Sequence, residues 1–435
     1  MAISAGALVV FLVLVAQVGM LPAWAGASIA TVESTTDLGH GGNLSAASSL
    51  PEFAIMPPAG PLVLTPPMGW NGYNRFHLKV NAATVVSAAR ALVASGMKGA
   101  GYMYVNLDGG WDLHWRGPGG ALLPDPVKFP HGIRPVVDYV HSLGLKFGIY
   151  ISAGMQNCAA TSAGSYGHYQ QDAATFAFWG VDYLKFDWCD VPFKNYPQLT
   201  HRQVSELLAR QMGIALAATR RPIVYDVNDW GGSDEPWMWA RPANMWRTAP
   251  DIQDRYPSLL LNFTRNVQHY ERAARGGWND PDMLEVGNGG MNFTEYQSQF
   301  SLWAEMAAPL IAGNDLTSMS ADTRSILTNQ AVIAVDQDPL GRQAYPVSSS
   351  AGLWVLSKQL ANGDRAVVLF NQTNAPATIS TTVAQAGLPS GFDYTLLNLW
   401  SGGETDTSGP IAVAVPAHGV VFYRIARTET RPITA

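Results

Sequence analysis

Only two cysteines, Cys158 and Cys189, occur in the 435 residues, and no Cys/His cluster has the spacing of a zinc site. Charge is scarce as well. Asp, Glu, Lys and Arg make up 14% of the chain, and 27 basic against 33 acidic residues leave a formal net charge of −6. That balance repels a phosphate backbone or an anionic membrane surface, so no nucleic-acid partner is expected. P-loops, coiled-coil heptads and internal repeats are missing, and the Gly-rich stretches lack the strand-to-helix setting of a phosphate cradle. With 47% hydrophobic residues, such low charge also excludes intrinsic disorder for the chain as a whole.

What is present is a long, apolar and aromatic chain. At about 150 residues per domain its length suggests roughly three domains, or one large barrel with a smaller companion. Trp, Tyr and Phe number 14, 16 and 15, and their flat apolar faces serve sugar binding as well as core packing. An apolar run at residues 6–21 matches a signal-peptide core followed by small residues at Ala23 and Ala25, although no Lys or Arg precedes it. Residues 1–25 are therefore expected to be a signal peptide, with an uncleaved anchor as the alternative and no membrane role after cleavage. Export to a secreted or periplasmic location would let Cys158 and Cys189 pair, closing a loop of 31 residues for roughly 3–4 kcal/mol of stabilisation.

Residues 26–60 are rich in Ser, Thr, Ala and Gly and read as a flexible leader. From residue 61 to about 341, strand-like runs alternate with helical patterns, as expected for a parallel sheet covered by helices. Strands are expected at 102–107, 145–151, 182–186, 223–227 and 244–247. Helices are expected at 82–95, with Asn81 as N-cap, and at 201–219, where Val204, Leu207, Leu208 and Met212 keep helical spacing. Gly144 and Gly180 sit at C-cap positions. Such a sheet is either open and doubly wound or closed, and the length suits a (β/α)8 TIM barrel. Over residues 342–435 the texture changes to β-type runs at 353–357, 365–371, 394–399 and 419–425, separated by turn residues, which predicts a small C-terminal antiparallel β-sandwich domain.

In a parallel barrel, ligands bind beyond the carboxyl ends of the strands. Asp108, Asp187 and Asp251 each finish, or nearly finish, a strand candidate, with Lys185 and Arg247 close by in sequence. A buried carboxylate is costly unless paired or used. Two of them across a pocket walled by Trp and Tyr would suit glycoside hydrolysis, one attacking or stabilising the anomeric carbon and the other protonating the leaving oxygen.

Six segments, at residues 66–76, 101–108, 125–132, 147–150, 180–189 and 278–283, carry a family resemblance in the family's order. They include Trp70-Asn-Gly-Tyr73, Lys185-Phe-Asp187-Trp-Cys189 and Trp278-Asn-Asp-Pro-Asp282. The chain resembles the α-galactosidases of glycoside hydrolase family 27 over residues 62–340. That resemblance implies a retaining exo-glycosidase releasing terminal α-D-galactose from a carbohydrate substrate. Asp187 would be the nucleophile and Asp251 the acid/base, and Trp70, Tyr73, Asp108, Tyr150, Lys185, Asp229, Arg247 and Asp282 would contact the sugar. It further implies a Cys158–Cys189 disulfide beside the nucleophile. No metal or organic cofactor is called for, since two carboxylates and water complete the chemistry.

The chain departs from the family pattern after the second strand, where Asp108 is followed by Gly109 and Gly110 instead of Asp and Cys. One sugar-binding carboxylate is thereby lost, at roughly 1.5–3 kcal/mol for a charge-assisted hydrogen bond. A weaker grip on the O6 side keeps a β-L-arabinopyranosidase as the alternative enzyme. A non-catalytic carbohydrate-binding protein is the alternative from another class, against which the presence of both Asp187 and Asp251 argues. Sequons at Asn43, Asn262, Asn292 and Asn371 would carry glycans only in a glycosylating host.

Overall fold

The computed structural model describes residues 62–229 and 243–428. The expected signal peptide and leader, and the Asn43 sequon, lie outside the described residues. Eight parallel strands form one sheet: β1 (Met68–Asn71), β2 (Tyr104–Leu107), β3 (Lys146–Ser152), β4 (Tyr183–Asp187), β5 (Val224–Asn228), β6 (Met245–Arg247), β7 (Trp278–Asp280) and β8 (Leu310–Ala312). Neighbours pair in chain order and β1 also pairs with β8. A parallel bridge between Leu284, just beyond β7, and Ala312 closes the ring. The (β/α)8 barrel is thus the observed fold.

Local chemistry accounts for the helices around it. Asn81 caps the helix Ala82–Ala94 by accepting from the Thr84 N–H at 3.0 Å. Thr200 and Gln203 form a reciprocal capping box at the start of His201–Ala218, which buries Val204, Leu208 and Met212 at successive one-turn intervals. Leu207 stays at the edge of that stripe, only partly buried. The helix Tyr169–Trp179 ends at Gly180, whose φ of 88° is the left-handed conformation that glycine adopts without a Cβ penalty.

The C-terminal domain comprises β9 (Tyr345–Ser350), β10 (Leu353–Gln359), β11 (Arg365–Asn371), β12 (Ala377–Thr382), β13 (Tyr394–Asn398), β14 (Glu404–Thr407), β15 (Pro410–Val415) and β16 (Val420–Arg427). Six of these form an antiparallel sheet in the order β14-β13-β16-β11-β10-β9, and β12 pairs with β15. Strand alternation sorts the side chains: Val367 and Leu369 pack with Ile379, Ile411 and Val415, whereas Ala366, Val368 and Phe370 on the other face join the barrel's core. Phe370 and Trp354 meet Phe263 edge-on at centroid distances of 5.5 and 5.1 Å. Between the domains Lys358, 1% exposed, donates to the carbonyls of Ala304 (3.1 Å) and Val335 (2.6 Å).

The structure corrects the glycan reading at two positions. Asn262 and Asn371 are both fully buried, and their amides are spent on backbone carbonyls. Asn292 is exposed and caps the helix Phe293–Glu305.

Candidate active site

A cavity of about 490 Å³ opens at the carboxyl ends of the barrel strands, lined by Tyr73, Asp108, Gly109, Tyr150, Lys185, Asp187, Asp251 and Asp282, among others. Several arrive there by strand register. Tyr150 in β3 stands level with Lys185 in β4, and Asp187 is the last residue of its strand, level with Ser152 and Asn228. Asp108 follows β2 directly, while Asp251 lies four residues beyond β6.

The residues form two charged groups. In the first, Asp108 Oδ2 accepts from Lys185 Nζ at 2.8 Å and from Asn71 Nδ2 at 2.6 Å, and its Oδ1 accepts from the Gly109 N–H. Burial alone would lower the Lys185 pKa, but Asp108 and Asp187 reverse that and hold the ammonium charged. It also lies over the rings of Tyr150 and Tyr73, 5.6 and 6.0 Å from their centroids. Asp187 accepts from the Trp188 N–H at 2.8 Å. Its burial pushes the carboxyl up to about 6, aided by the negative charges of Asp251 and Asp108 and opposed by Lys185 and that backbone bond.

The second group is built on Arg247, 2% exposed. It pairs with Asp251 at 2.8 Å, Asp282 at 2.9 Å and Asp280 at 3.4 Å. Asp251 keeps 65% of its side chain open to the cavity. Desolvation would raise its pKa, yet the charges of Arg247 and Lys185 outweigh that and hold it below the ordinary value. Asp282 has φ +78°, a conformation costly for a non-glycine residue, and its Oδ2 accepts from the Ile252 N–H at 2.7 Å. Beneath the cavity Asp226, hydrogen-bonded by the Tyr183 hydroxyl at 2.8 Å, is pushed up to about 7 by burial and by Asp280.

Cys158 and Cys189 are disulfide-bonded with Cα atoms 4.9 Å apart, and the Cys158 sulfur lies 3.4 Å from Asp187 Oδ2. Among the described residues, the only grouping of three potential metal donors is Cys158, Asp187 and Cys189. The disulfide leaves it no thiolate, so it does not suit a metal.

Trp70 departs from the expectation of a sugar-facing wall. It is fully buried, donates to the Asn314 carbonyl at 2.8 Å, and packs beneath Gly72 rather than lining the cavity. Gly72 leaves no room for a Cβ above that ring, 2.6 Å away, so the indole supports the turn that presents Tyr73. Asp229, buried just past β5, and Arg247 are not among the described residues lining the cavity, and Arg247 reaches it only through its ion pairs with Asp251 and Asp282. Sequence reasoning missed a polar wall of Asn74, Asp254, Glu285 and Asn288. Asn74 and Asn288 both donate to Glu285, whose burial raises it to about 8. The proximity of Asn74 to Tyr73, and of Asp254 to Asp251, was the available signal.

A family model described as α-galactosidase A matches residues 65–338, and one described as the α-galactosidase C-terminal β-sandwich domain matches residues 350–425. The chain belongs to the α-galactosidase family. An α-galactosidase from Oryza sativa subsp. japonica is 42% identical over 360 residues, covering 82% of this chain and 84% of the relative. One from Coffea arabica is 42% identical over 371 residues, covering 84% and 94%. The crystal structure of α-galactosidase I from Mortierella vinacea superposes with a TM-score of 0.80 at 36% identity, covering 84% of this chain and 97% of that one.

Proposed function

We propose that the protein is a retaining exo-α-galactosidase whose catalytic barrel spans residues 61–341 and whose β-sandwich, residues 342–435, supports it. The observation that carries this reading is the opening of Asp187 and Asp251 onto one cavity, close enough for the charge of Asp251 to raise the pKa of Asp187. In the first step Asp187 attacks the anomeric carbon while Asp251 gives its proton to the departing glycosidic oxygen. In the second, Asp251 takes a proton from water as that water's oxygen displaces Asp187 from the same carbon, returning the original configuration. Lys185, Asp108, Tyr150 and Asp282 supply hydrogen bonds to the sugar hydroxyls. Before substrate arrives Arg247 holds Asp251 as an anion, so a sugar hydroxyl that takes over the Arg247 bond returns the acid to a pKa at which it carries a proton.

One feature favours a second reading. Gly109 lines the cavity, and a Cβ there would stand in ordinary contact, 3.4 Å from the Tyr150 ring, so the backbone at this position does not exclude the side chain that it lacks. A substrate without a C6 hydroxymethyl, β-L-arabinopyranoside, loses nothing at such a site. A panel of nitrophenyl glycosides separates the readings: turnover of the α-galactoside above the β-L-arabinopyranoside supports the first, the reverse order supports the second, and binding without release would overturn both.

The disulfide supports a protein working outside the reducing cytoplasm, in agreement with the apolar run at residues 6–21. Among the described residues no helix is long and apolar enough to cross a membrane.

A further inference from the structure

Asn262, in the middle of the helix Tyr256–Asn266, is fully buried and stands outside the cavity lining. Its Nδ2 donates at 2.8 Å to the carbonyl of Pro250 and at 2.8 Å to the carbonyl of Pro281. Those two carbonyls immediately precede Asp251 and Asp282. One amide therefore ties together two Pro-Asp turns from different barrel strands.

Above the amide the same turns are joined twice more. Asp282 Oδ2 accepts from the Ile252 N–H at 2.7 Å, and Arg247 bridges Asp251 and Asp282 at 2.8 and 2.9 Å. The result is a closed ring, Asn262–Pro250–Asp251–Arg247–Asp282–Pro281–Asn262. A substrate that displaced the Arg247–Asp251 bond would open the upper part of this ring. The Asn262 clamp, buried and outside the cavity lining, would remain.

We propose that Asn262 is a positioning residue that holds the Asp251 carboxyl on the leaving-group side of the cavity when its bond to Arg247 is given up. This rests on the reading of Asp251 as the acid/base. The chemistry makes a distinctive demand. Displacing an aryloxide of low basicity needs little protonation, whereas displacing a sugar alkoxide needs the full proton, so a misplaced acid is felt only with the poorer leaving group. A simple loss of packing would lower both rates alike.

The test compares kcat/KM of the full-length wild type, Asn262→Ala and Asn262→Ser on two glycosides of whichever sugar the wild type releases, one with a dinitrophenyl leaving group and one with a second sugar. The expected result is a fall of about 10- to 100-fold on the disaccharide with less than about threefold change on the dinitrophenyl glycoside. In an Asp251→Ala background, adding Asn262→Ser should cost nothing further on the dinitrophenyl glycoside. Equal losses on both substrates, no loss on either, or a further loss in the Asp251→Ala background would overturn the proposal. Asn262→Ser keeps one donor and leaves a smaller void than Asn262→Ala, so it serves where Asn262→Ala does not fold. Should Asp251→Ala itself show no leaving-group dependence, the acid/base reading fails and not the clamp alone.

Discussion

The Cys158 sulfur rests 3.4 Å from Asp187 Oδ2, and the disulfide partner Cys189 is only two residues beyond Asp187. The cross-link thus fixes both sides of that carboxylate. Ser152 adds to the constraint, its hydroxyl donating to the Cys189 carbonyl at 2.8 Å and accepting from the Cys189 N–H at 3.1 Å. Replacing both cysteines with alanine is expected to lower stability by about 2–5 kcal/mol, since the unfolded chain regains a loop of 31 residues. Denaturant melts measure that loss. Turnover at a temperature where the variant is still folded should also fall, because Asp187 loses one wall.

Removing each carboxylate should give opposite stereochemistry with an added nucleophile. With Asp187→Ala, azide can enter the vacated face and give the β-glycosyl azide. With Asp251→Ala, azide attacks the covalent intermediate and gives the α-glycosyl azide. Product NMR on a dinitrophenyl galactoside reads this directly. The same anomer from both variants would refute the role assignment. Without azide, Asp251→Ala should lose about 10²- to 10⁴-fold on a substrate with a sugar leaving group.

Coupling between the carboxyls predicts a signed pH shift. Burial is the first cause of the rise of Asp187 to about 6, and the negative charge of Asp251 adds to it. Asp251→Asn deletes that charge, so the Asp187 pKa must fall. The acidic limb of kcat/KM on an activated glycoside, which reports protonation of the free nucleophile, should therefore lie near pH 6 in the wild type and move to lower pH in the variant. An upward shift, or none, would contradict the coupling.

Gly109→Asp should discriminate between the two substrate readings. A Cβ at this cavity-lining position stands in ordinary contact with Tyr150, so the substitution adds a charged acceptor without a clash at its first carbon. If the O6 side of galactose is under-gripped, kcat/KM on the α-galactoside rises about tenfold or more, the worth of one charge-assisted hydrogen bond. The β-L-arabinopyranoside, with no O6, should not gain. Parallel changes on both would show that position 109 does not read that side of the sugar.

Stability should fall as pH rises toward 8. Burial raises both Glu305 and Asp336 to about 8, against ordinary values of 4.5 and 3.8, with Lys358 opposing the rise in each. Between pH 4 and 8 the folded chain binds more protons than the unfolded chain, so this contribution is complete below about pH 4 and is lost by the time pH passes about 8. Glu305→Gln should flatten the decline of Tm between pH 5 and 8. An unchanged slope would mean that Glu305 does not titrate there.

Much of this architecture was legible in the sequence, because buried barrel strands are short apolar runs. The expected strand at 182–186 stops one residue before the observed end at Asp187, and that at 223–227 one before Asn228. The reason is common to both: backbone pairing continues through a polar side chain, so the ladder runs on to the functional residue where hydropathy breaks. β1, β7 and β8, of three or four residues each, are too short for periodicity to mark. β12 and β14, rich in Thr, were hidden by their polar faces. At the site, the strand-end carboxylates stood out. Asn262, whose work is done through two distant carbonyls, left no mark beyond a sequon, and Trp70 could not be assigned a side of the wall from its type alone.

Lys358 joins the two halves of the chain. Its ammonium belongs to the β-sandwich by sequence, yet its two hydrogen-bond acceptors and its neighbouring carboxyls, Glu305 and Asp336, belong to the barrel. Cutting the chain between the two halves would strand acids on one fragment and a cation on the other, each still surrounded by apolar surface that had been shared. The two halves are therefore poor modules for shuffling: a chimera that swaps the sandwich must also carry over a lysine in register, or neutralise both acids.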